Sequence, residues 1–462
     1  MMMKFEFLPN EILLETFKFL HLFDIFYSLN YLNNRLNKLI RSIPLDLNLK
    51  NVSKSTFDQF CQLLEVNPEI KDQVFSIELS NENRCTQIER FLSRFLLNQF
   101  SHLHSLILIP HENDHIVRIL SIPILPFNTS NFSLITKLTI STCSMKQILN
   151  QLIQYAPMLK YLNIHQIKYT LERNDSYVIR FKAIHLQELI LTDFEYQFTD
   201  YRTLMEHTPN LLSLELCAYS DRDTIDANQW EYLITDSLPH LEIFKFIFSY
   251  RSQNTDKFHQ FQTDFWLVKH HWHTEYSFTN DFIMIYTIPY MLDYFELQEN
   301  TTRYGNNIFN IFDKVTNLTV YDNTIKESCQ YYFPNVTSLT ILYSNHLQQS
   351  IISKQTIHLL KKLTNLSNLK HIGISSKIRF ESRLLLLTIL EEAPQLSSIK
   401  TDARLVSDGP FFTSTFHDYL KERIKTLDIY DYNYPSINNR CDLDRFCTNF
   451  SNLEQLICTV IE

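Results

Sequence analysis

Triplets of apolar residues, at the first, fourth and sixth positions of a short segment, recur along most of the chain. The second and third members flank one residue that is most often polar or small, so both face the same side of an extended chain. Successive triplets mostly begin 21 to 33 residues apart. We therefore predict a series of short strands with one buried face. The clearest copies are Leu103/Leu106/Leu108, Ile135/Leu138/Ile140, Leu159/Leu162/Ile164, Leu186/Leu189/Leu191, Leu211/Leu214/Leu216, Leu241/Phe244/Phe246, Val315/Leu318/Val320, Val336/Leu339/Ile341, Leu369/Ile372/Ile374, Ile424/Leu427/Ile429 and Leu453/Leu456/Cys458, and weaker copies begin at Val74, Leu292 and Leu396.

Helical runs and prolines precede several triplets. Residues 148–153 and 385–390 are helical runs, and a proline follows each of them. Because proline cannot continue a helix, it marks the point where the helix ends. We therefore predict that each repeating unit is a helix, a turn and a strand. The prolines found two residues before a first apolar position are Pro157, Pro209, Pro239, Pro334 and Pro394.

The repeat resembles that of leucine-rich-repeat proteins, whose period is roughly 20 to 29 residues. That family often has Asn or Cys three positions after the third apolar residue, and Cys143 and Asn323 match this position. The resemblance implies an α/β fold over residues 46–462, a solenoid with short parallel strands on its concave face and helices on its convex face. An ordinary α/β sheet protein with unrelated short strands is the alternative.

An atypical segment, at about residues 249–291, interrupts the series of triplets. It is rich in aromatic residues and histidines, and it contains Trp266 and Trp272. Large aromatic side chains bury much surface, so these residues either pack on the rest of the chain or form part of a partner-binding site. Within the segment, Phe282, Ile285 and Thr287 have the spacing of a worn triplet.

The first 45 residues have a different pattern, which predicts three short helices. Residues 10–20 carry apolar side chains at helical spacing, with Asn10 as the predicted N-cap. Asp24 can cap a second helix over residues 25–30, and a third helical pattern follows. After Pro44 the pattern changes to the alternation of a strand.

This start resembles an F-box: it contains Leu-Pro-x-Glu-Ile-Leu, then Phe-x-x-Leu, and an acidic residue opens the next helix. Leu29, Arg35 and Leu36 correspond to the later part of the family pattern. In that family the segment packs into a groove of a Skp-family adaptor. A helical cap that seals one end of a solenoid is the alternative. The residues that the resemblance assigns to the adaptor contact are Leu8, Pro9, Ile12, Leu13, Phe17 and Leu20.

An F-box over residues 1–45 followed by a repeat array implies a substrate-receptor subunit of a cullin-type ubiquitin ligase. The F-box would bind the adaptor and through it a cullin, and the repeats would bind a protein target. On this interpretation the chain is not an enzyme and needs no cofactor. A leucine-rich-repeat scaffold that joins no ligase is the alternative. The predicted target contacts are strand residues that alternate with buried ones, namely Tyr161, Asn163, Glu188, Ser213, Glu215, Lys245, Tyr321 and Asp428.

Charge and glycine content exclude several other classes of protein. The net charge is −9, from 42 basic and 51 acidic residues, whereas a general nucleic-acid binder needs a basic surface. The only three glycines, Gly305, Gly373 and Gly409, are too far apart to form a phosphate-binding loop. We therefore expect neither a nucleic-acid partner nor a nucleotide cofactor.

Two further expectations concern metals and localisation. His270, His271 and His273 lie near Glu275 in the sequence, but no further ligand completes a recognisable zinc site, so we predict no metal. We find no signal peptide and no apolar run of membrane-spanning length, and the eight cysteines form no Cys-x-x-Cys pair. This pattern predicts reduced thiols in a cytoplasmic or nuclear protein without a membrane partner.

Overall fold

The computed structural model of the chain contains two compact units, Met1–Phe244 and Lys245–Glu462. The division falls inside a strand. The predicted boundary after residue 45 does not coincide with it, since residues 1–45 belong to the first unit. The structure describes residues 7–17, 19–20, 25–29, 32–50, 52–81, 86–109, 134–145, 148–153, 156–167, 181–194, 197–219, 226–251, 256–278, 282–298, 301–304, 311–321, 330–343, 350–375, 378–380, 383–402, 422–431 and 452–460.

Helices alternate with short strands along much of the chain. The α-helices of the described residues are α1 (Asn10–Phe17), α2 (Asn34–Ile40), α3 (Lys54–Val66), α4 (Gln87–Arg94), α5 (Phe198–Glu206), α6 (Ala227–Ser237), α7 (Lys354–Leu363) and α8 (Arg383–Glu392). Shorter helical segments are of the 3-10 type (Pro68–Gln73, Leu97–Gln99, Asp256–Gln262 and Leu366–Asn368) or of the π type (Ile25–Leu29, Ile148–Leu152 and Phe265–Lys269).

The strands confirm the α/β class. In the first unit they are β1 (Leu45–Asn48), β2 (Val74–Ser80), β3 (Ser105–Ile109), β4 (Lys137–Cys143), β5 (Tyr161–Ile167), β6 (Glu188–Phe194) and β7 (Ser213–Tyr219), and β8 (Ile243–Arg251) crosses into the second unit. The second unit continues with β9 (Thr274–Phe278), β10 (Phe282–Thr287), β11 (Tyr294–Leu297), β12 (Thr302–Tyr304), β13 (Asn317–Tyr321), β14 (Ser338–Leu342), β15 (Ser350–Ile352), β16 (His371–Ile374), β17 (Ile378–Phe380), β18 (Ser398–Asp402), β19 (Thr426–Asp431) and β20 (Gln455–Val460).

Most of the strand pairing is parallel and follows chain order. In the first unit, β1 to β7 pair each with the next. In the second unit, the parallel order is β11–β13–β14–β16–β18–β19–β20, and β15 pairs with β17. The predicted triplets lie on these strands, and in most described copies the first apolar residue is buried next to the start of its strand, whereas Leu292 and Leu453 are half-buried. The prediction of short strands with one buried face is therefore confirmed.

One backbone contact recurs at almost every parallel step. The carbonyl of the residue after the first apolar position accepts hydrogen bonds from two consecutive amides at the start of the next strand. The carbonyl of Thr136 accepts from the amides of Lys160 and Tyr161, and that of Thr337 accepts from Lys370 and His371. This doubled hydrogen bond fixes the register between neighbouring strands, so the same triplet positions face the core in each. The accepting carbonyls are those of His104, Thr136, Lys160, Gln187, Leu212, Asp293, Thr316, Thr337, Lys370, Ser397 and Lys425.

Asparagines at a fixed place in the repeat add a second contact between neighbours. In four copies an asparagine directly precedes the first apolar residue. Its side-chain amide donates to the carbonyl that lies two residues before the first apolar residue of the preceding copy. The donor–acceptor distances are 2.7 to 3.1 Å. Each such bond satisfies a turn carbonyl that helix and sheet leave unpaired. The pairs are Asn210 with Ile184, Asn335 with Asp313, Asn368 with Pro334, and Asn452 with Glu422.

The predicted worn triplet at Phe282 is a strand but not a member of the parallel series. It is β10, which pairs antiparallel with β8 and with β9. Only three residues separate β9 from β10, whereas a parallel connection needs about a dozen or more. The chain therefore turns back on itself here, and β12 joins the other edge of β9, also antiparallel.

Aromatic side chains fill the interior beside this antiparallel sheet. Trp266 and Trp272 are 0% and 7% exposed, and their rings lie 5.9 Å apart. The ring of Phe261 lies 4.8 Å from that of Trp266. Of the two alternatives for this segment, packing on the rest of the chain is the one that the structure shows, because both indoles are enclosed within the second unit.

A buried ion pair ties β12 to β9. Arg303 Nε and Nη2 donate to the two carboxylate oxygens of Glu275, at 2.7 and 2.9 Å, and the two side chains are 9% and 1% exposed. Arg303 Nη1 also donates to the carbonyl of Gln330, at 3.1 Å. The hydrogen bonds to Glu275 raise the pKa of Arg303 above its ordinary value. Arg303 therefore joins two strands and the segment that precedes β14.

We expect Arg303→Met to destabilise the protein by about 3 to 5 kcal/mol, because it leaves the Glu275 carboxylate buried without a counter-charge. Urea unfolding measures the change. Replacing both partners, as in Glu275→Leu/Arg303→Met, should recover much of the loss. The control is Lys361→Met, which removes one partner of the exposed Lys361–Glu392 pair and should cost less than about 1 kcal/mol. Equal losses in the two single variants would contradict this account.

Candidate docking site on the amino-terminal module

The described part of residues 7–45 contains two α-helices and a short π segment. The predicted middle helix is the π segment Ile25–Leu29, so the expectation of three regular helices is wrong. Five residues cannot make enough intrahelical hydrogen bonds to offset the cost of helix nucleation. Ile25 and Phe26 are buried, which holds the segment in place by packing instead. The predicted cap Asp24 lies outside the described residues.

The two faces of α1 divide the six predicted adaptor contacts. Leu13 and Phe17, one helical turn apart, are 0% and 3% exposed, so they attach α1 to the rest of the module. Pro9 and Ile12 are exposed and Leu8 is half-buried. Leu20, beyond the end of the helix, is 39% exposed. Four of the six are therefore accessible to a partner, and two belong to the interior.

Further exposed apolar residues flank these four. Phe7 precedes them and is 69% exposed, and Phe19 is 87% exposed. Isolated exposed apolar residues are ordinary, but several of them along one short segment are typical of an interaction surface. We call residues Phe7, Leu8, Pro9, Ile12, Phe19 and Leu20 the docking set.

A cavity of about 570 Å³ lies beside the docking set. Leu20 and the buried Phe17 both line it, and two carboxylates, Glu15 and Asp46, stand among its mostly apolar walls. A cavity of this size can hold apolar side chains.

Arg35 of α2 holds the start of the docking set. Its Nε donates to Oδ1 of Asn10 at 2.8 Å, and its Nη2 donates to the carbonyl of Leu8 at 2.6 Å. The prediction that Asn10 caps α1 is therefore wrong. Asn10 is the first helical residue, and the carbonyl of Pro9 accepts the amide of Leu13. No local pattern pointed to this contact, because it spans more than twenty residues.

Five of the eight predicted target contacts lie on three adjacent strands of the first unit. Tyr161, Glu188 and Ser213 occupy one cross-strand row of β5, β6 and β7, and Asn163 and Glu215 belong to the next row. Glu188 is exposed and the other four are half-buried. The register therefore brings them together into one polar patch, which we call the β5–β7 patch.

The β5–β7 patch is acidic. Burial raises the pKa of the Tyr161 phenol, a hydrogen bond with Asn163 opposes the shift, and the carboxylates of Glu188 and Glu215 add to it because they disfavour a nearby phenolate. Tyr161 is therefore a neutral phenol beside Glu188, its cross-strand neighbour.

The other three predicted contacts lie in the second unit. Lys245 of β8 is half-buried. Tyr321 of β13 donates to Glu296 at 2.9 Å, and burial together with this hydrogen bond raises the pKa of Tyr321 to about 12. Asp428 of β19 accepts from Lys400 at 2.8 Å. These three therefore belong to the second unit, whereas the β5–β7 patch belongs to the first.

The histidines of the aromatic segment have separate environments. His270 stacks on Trp272 with 4.2 Å between ring centroids, and burial lowers its pKa. His271 and His273 are exposed. Within the described ranges, no three His, Cys, Asp or Glu side chains come close enough together to hold a metal ion. Among the helices that the structure describes, none is both long and apolar enough to cross a membrane.

No protein-family model matches the chain, and no curated protein is significantly similar to it.

We expect Leu13→Ala and Ile12→Ala to differ sharply in stability. Leu13→Ala opens a cavity under α1 and should lower the free energy of unfolding by about 2 to 5 kcal/mol. Ile12 is 50% exposed, so Ile12→Ala should stay within about 0.5 kcal/mol of the parent. Urea unfolding of the two variants checks this. Similar losses in both would contradict the assignment of α1's inner and outer faces.

Proposed function

We propose that this chain is a substrate-receptor subunit of a cullin-type ubiquitin ligase. One observation carries the proposal: a segment that resembles an F-box presents Leu8, Pro9, Ile12 and Leu20 to solvent, ahead of a long array of paired strands. Exposing apolar residues is unfavourable in an isolated chain, and a groove of a Skp-family adaptor would cover them. The adaptor would connect the chain to a cullin.

The strand faces are the proposed surface for a protein target. Alternation along each strand places polar side chains in rows opposite the buried triplets. The β5–β7 patch, with Glu188 and Glu215, would favour a basic segment of the target. The chain would carry out no chemistry itself. It would hold the target near the catalytic subunits of the ligase, which accelerate the reaction by proximity.

The two parallel arrays are, on this proposal, turns of a leucine-rich-repeat-like solenoid. Pairing in chain order, the doubled hydrogen bond to one carbonyl per copy and the asparagine contacts between copies support it. Each copy would then contact mainly its neighbours, and the stability would be close to a sum of copies and interfaces.

Deleting one copy tests the solenoid. Removal of residues 187–211 joins Leu186 to Leu212 and restores the spacing of a triplet, so β5 can pair with β7. We expect this variant to remain folded by circular dichroism, with reduced stability. The control removes residues 187–212, which shifts β7 by one residue and turns its apolar side chains outward, so it should not fold. Equal behaviour of the two deletions would reject the repeat architecture.

A scaffold that joins no ligase is the competing function. It would use the same strand faces but would leave the docking set for contacts within the chain or for another partner. Affinity for a Skp-family adaptor separates the two functions.

Binding of a purified Skp-family adaptor to the full chain, measured by calorimetry, tests the proposed function. We expect Leu8→Ala/Pro9→Ala and Ile12→Asp each to weaken binding at least tenfold, because they remove or charge the apolar contact. Val66→Ala is the control, since Val66 is 71% exposed but lies outside the module, at the end of α3.

No adaptor binding by the parent chain would reject the ligase function. Binding that all variants retain at full affinity would instead reject the docking set as the contact surface.

A further inference from the structure

Arg35 joins α2 to the segment where α1 begins. It belongs to α2, yet its guanidinium reaches the segment where the docking set begins. The two acceptors, the carbonyl of Leu8 and Oδ1 of Asn10, stand on either side of Pro9. Nε and Nη2 lie on one edge of the planar guanidinium, so both donors point in the same direction with fixed spacing. The Arg35 guanidinium therefore bonds at the same time to the residue before Pro9 and to the residue after it.

The backbone at Leu8 and Pro9 has little conformational freedom of its own. The pyrrolidine ring fixes φ of Pro9, and steric contact with the ring restricts Leu8 to extended conformations. The amide of Leu13 bonds to the carbonyl of Pro9 at 3.1 Å, which starts α1. The remaining freedom is mainly the direction of the chain at Leu8, just before α1. One two-pronged contact to the Leu8 carbonyl and the Asn10 side chain is sufficient to fix that direction.

The contact is not needed to form the interior. Arg35 and Asn10 are both exposed, whereas the residues that hold the two helices in place, Leu13, Phe17 and Leu36, are buried. Exposed hydrogen bonds contribute little to global stability because water competes for the same groups. A contact of this kind has its main effect on the conformation of the segment that it joins.

We propose that Arg35 is a positioning residue for partner docking: it holds Leu8 and Pro9 in the orientation in which the docking set meets the adaptor. The proposal rests on the adaptor-binding function above. Without the Arg35 contact, the segment is in its docking orientation for only part of the time, and the apparent affinity falls by that fraction. Part of the binding free energy is then used to order the segment.

The affinity of the full chain for the purified Skp-family adaptor tests the role of the Arg35 contact. We expect Arg35→Ala to weaken binding about tenfold, as for a segment that is docking-competent roughly a tenth of the time. Arg35→Lys should weaken it as well, because one ammonium cannot span both acceptors. Asn10→Ala combined with Arg35→Ala should cost less than the sum of the single changes, because both remove the same contact. Lys38→Ala, which removes a cation from the same helix, should bind normally.

Hydrogen exchange in the free chain supplies a readout that does not depend on the adaptor. Arg35→Ala should speed exchange of the Leu13 amide, which bonds to Pro9, and leave the Asn37 and Arg41 amides of α2 protected. Unchanged adaptor affinity in Arg35→Ala would overturn the proposal, and so would loss of protection throughout α2. If the parent chain binds no adaptor, the ligase function fails. Exchange at Leu13 then decides whether Arg35 fixes the segment.

Discussion

The structure depends on one repeated constraint: a carbonyl just after the first apolar residue of each copy receives two amides from the next copy. Because the same position accepts at nearly every parallel step, each strand starts in the same register as its neighbour. A strand one residue out of register would present its polar side chains to the core. The constraint therefore determines both the buried layer, for example Leu162 and Ile164, and the polar rows on the opposite face, for example Tyr161 and Asn163.

The strands could be predicted from the sequence because their signal is local. Leu138 and Ile140 alternate with Thr139, and the requirement to bury one face is satisfied within a few residues. Strand direction is a different matter. Phe282 and Ile285 have the same spacing as the true triplets, yet β10 runs antiparallel because a short connection joins it to β9. Connection length, rather than apolar spacing, decided that case.

The amino-terminal module shows what apolar spacing does not determine. Leu13 and Phe17 lie one turn apart and face inward, as helical spacing predicts, but the equally apolar Ile12 remains exposed and Leu8 is half-buried. Asn10 is an equally clear case, since its cap-forming oxygen bonds to Arg35, far along the chain. Such long-range contacts leave no periodic trace. The Asn368–Pro334 bond between neighbouring copies could have been noticed, because an asparagine recurs before the first apolar residue in several copies.

On the proposed function, the polar rows and the docking set would meet different kinds of partner. The apolar set would gain affinity by removing Ile12 and Leu20 from water, so its partner would need a matching groove and little charge. The rows would gain specificity from charge. Asp428 already has Lys400 beside it, so a target that competes for either loses an existing ion pair. On the proposed function, the β5–β7 patch with Glu188 and Glu215 would attract a basic segment of the target, whereas a target at β19 would first have to displace Lys400 from Asp428.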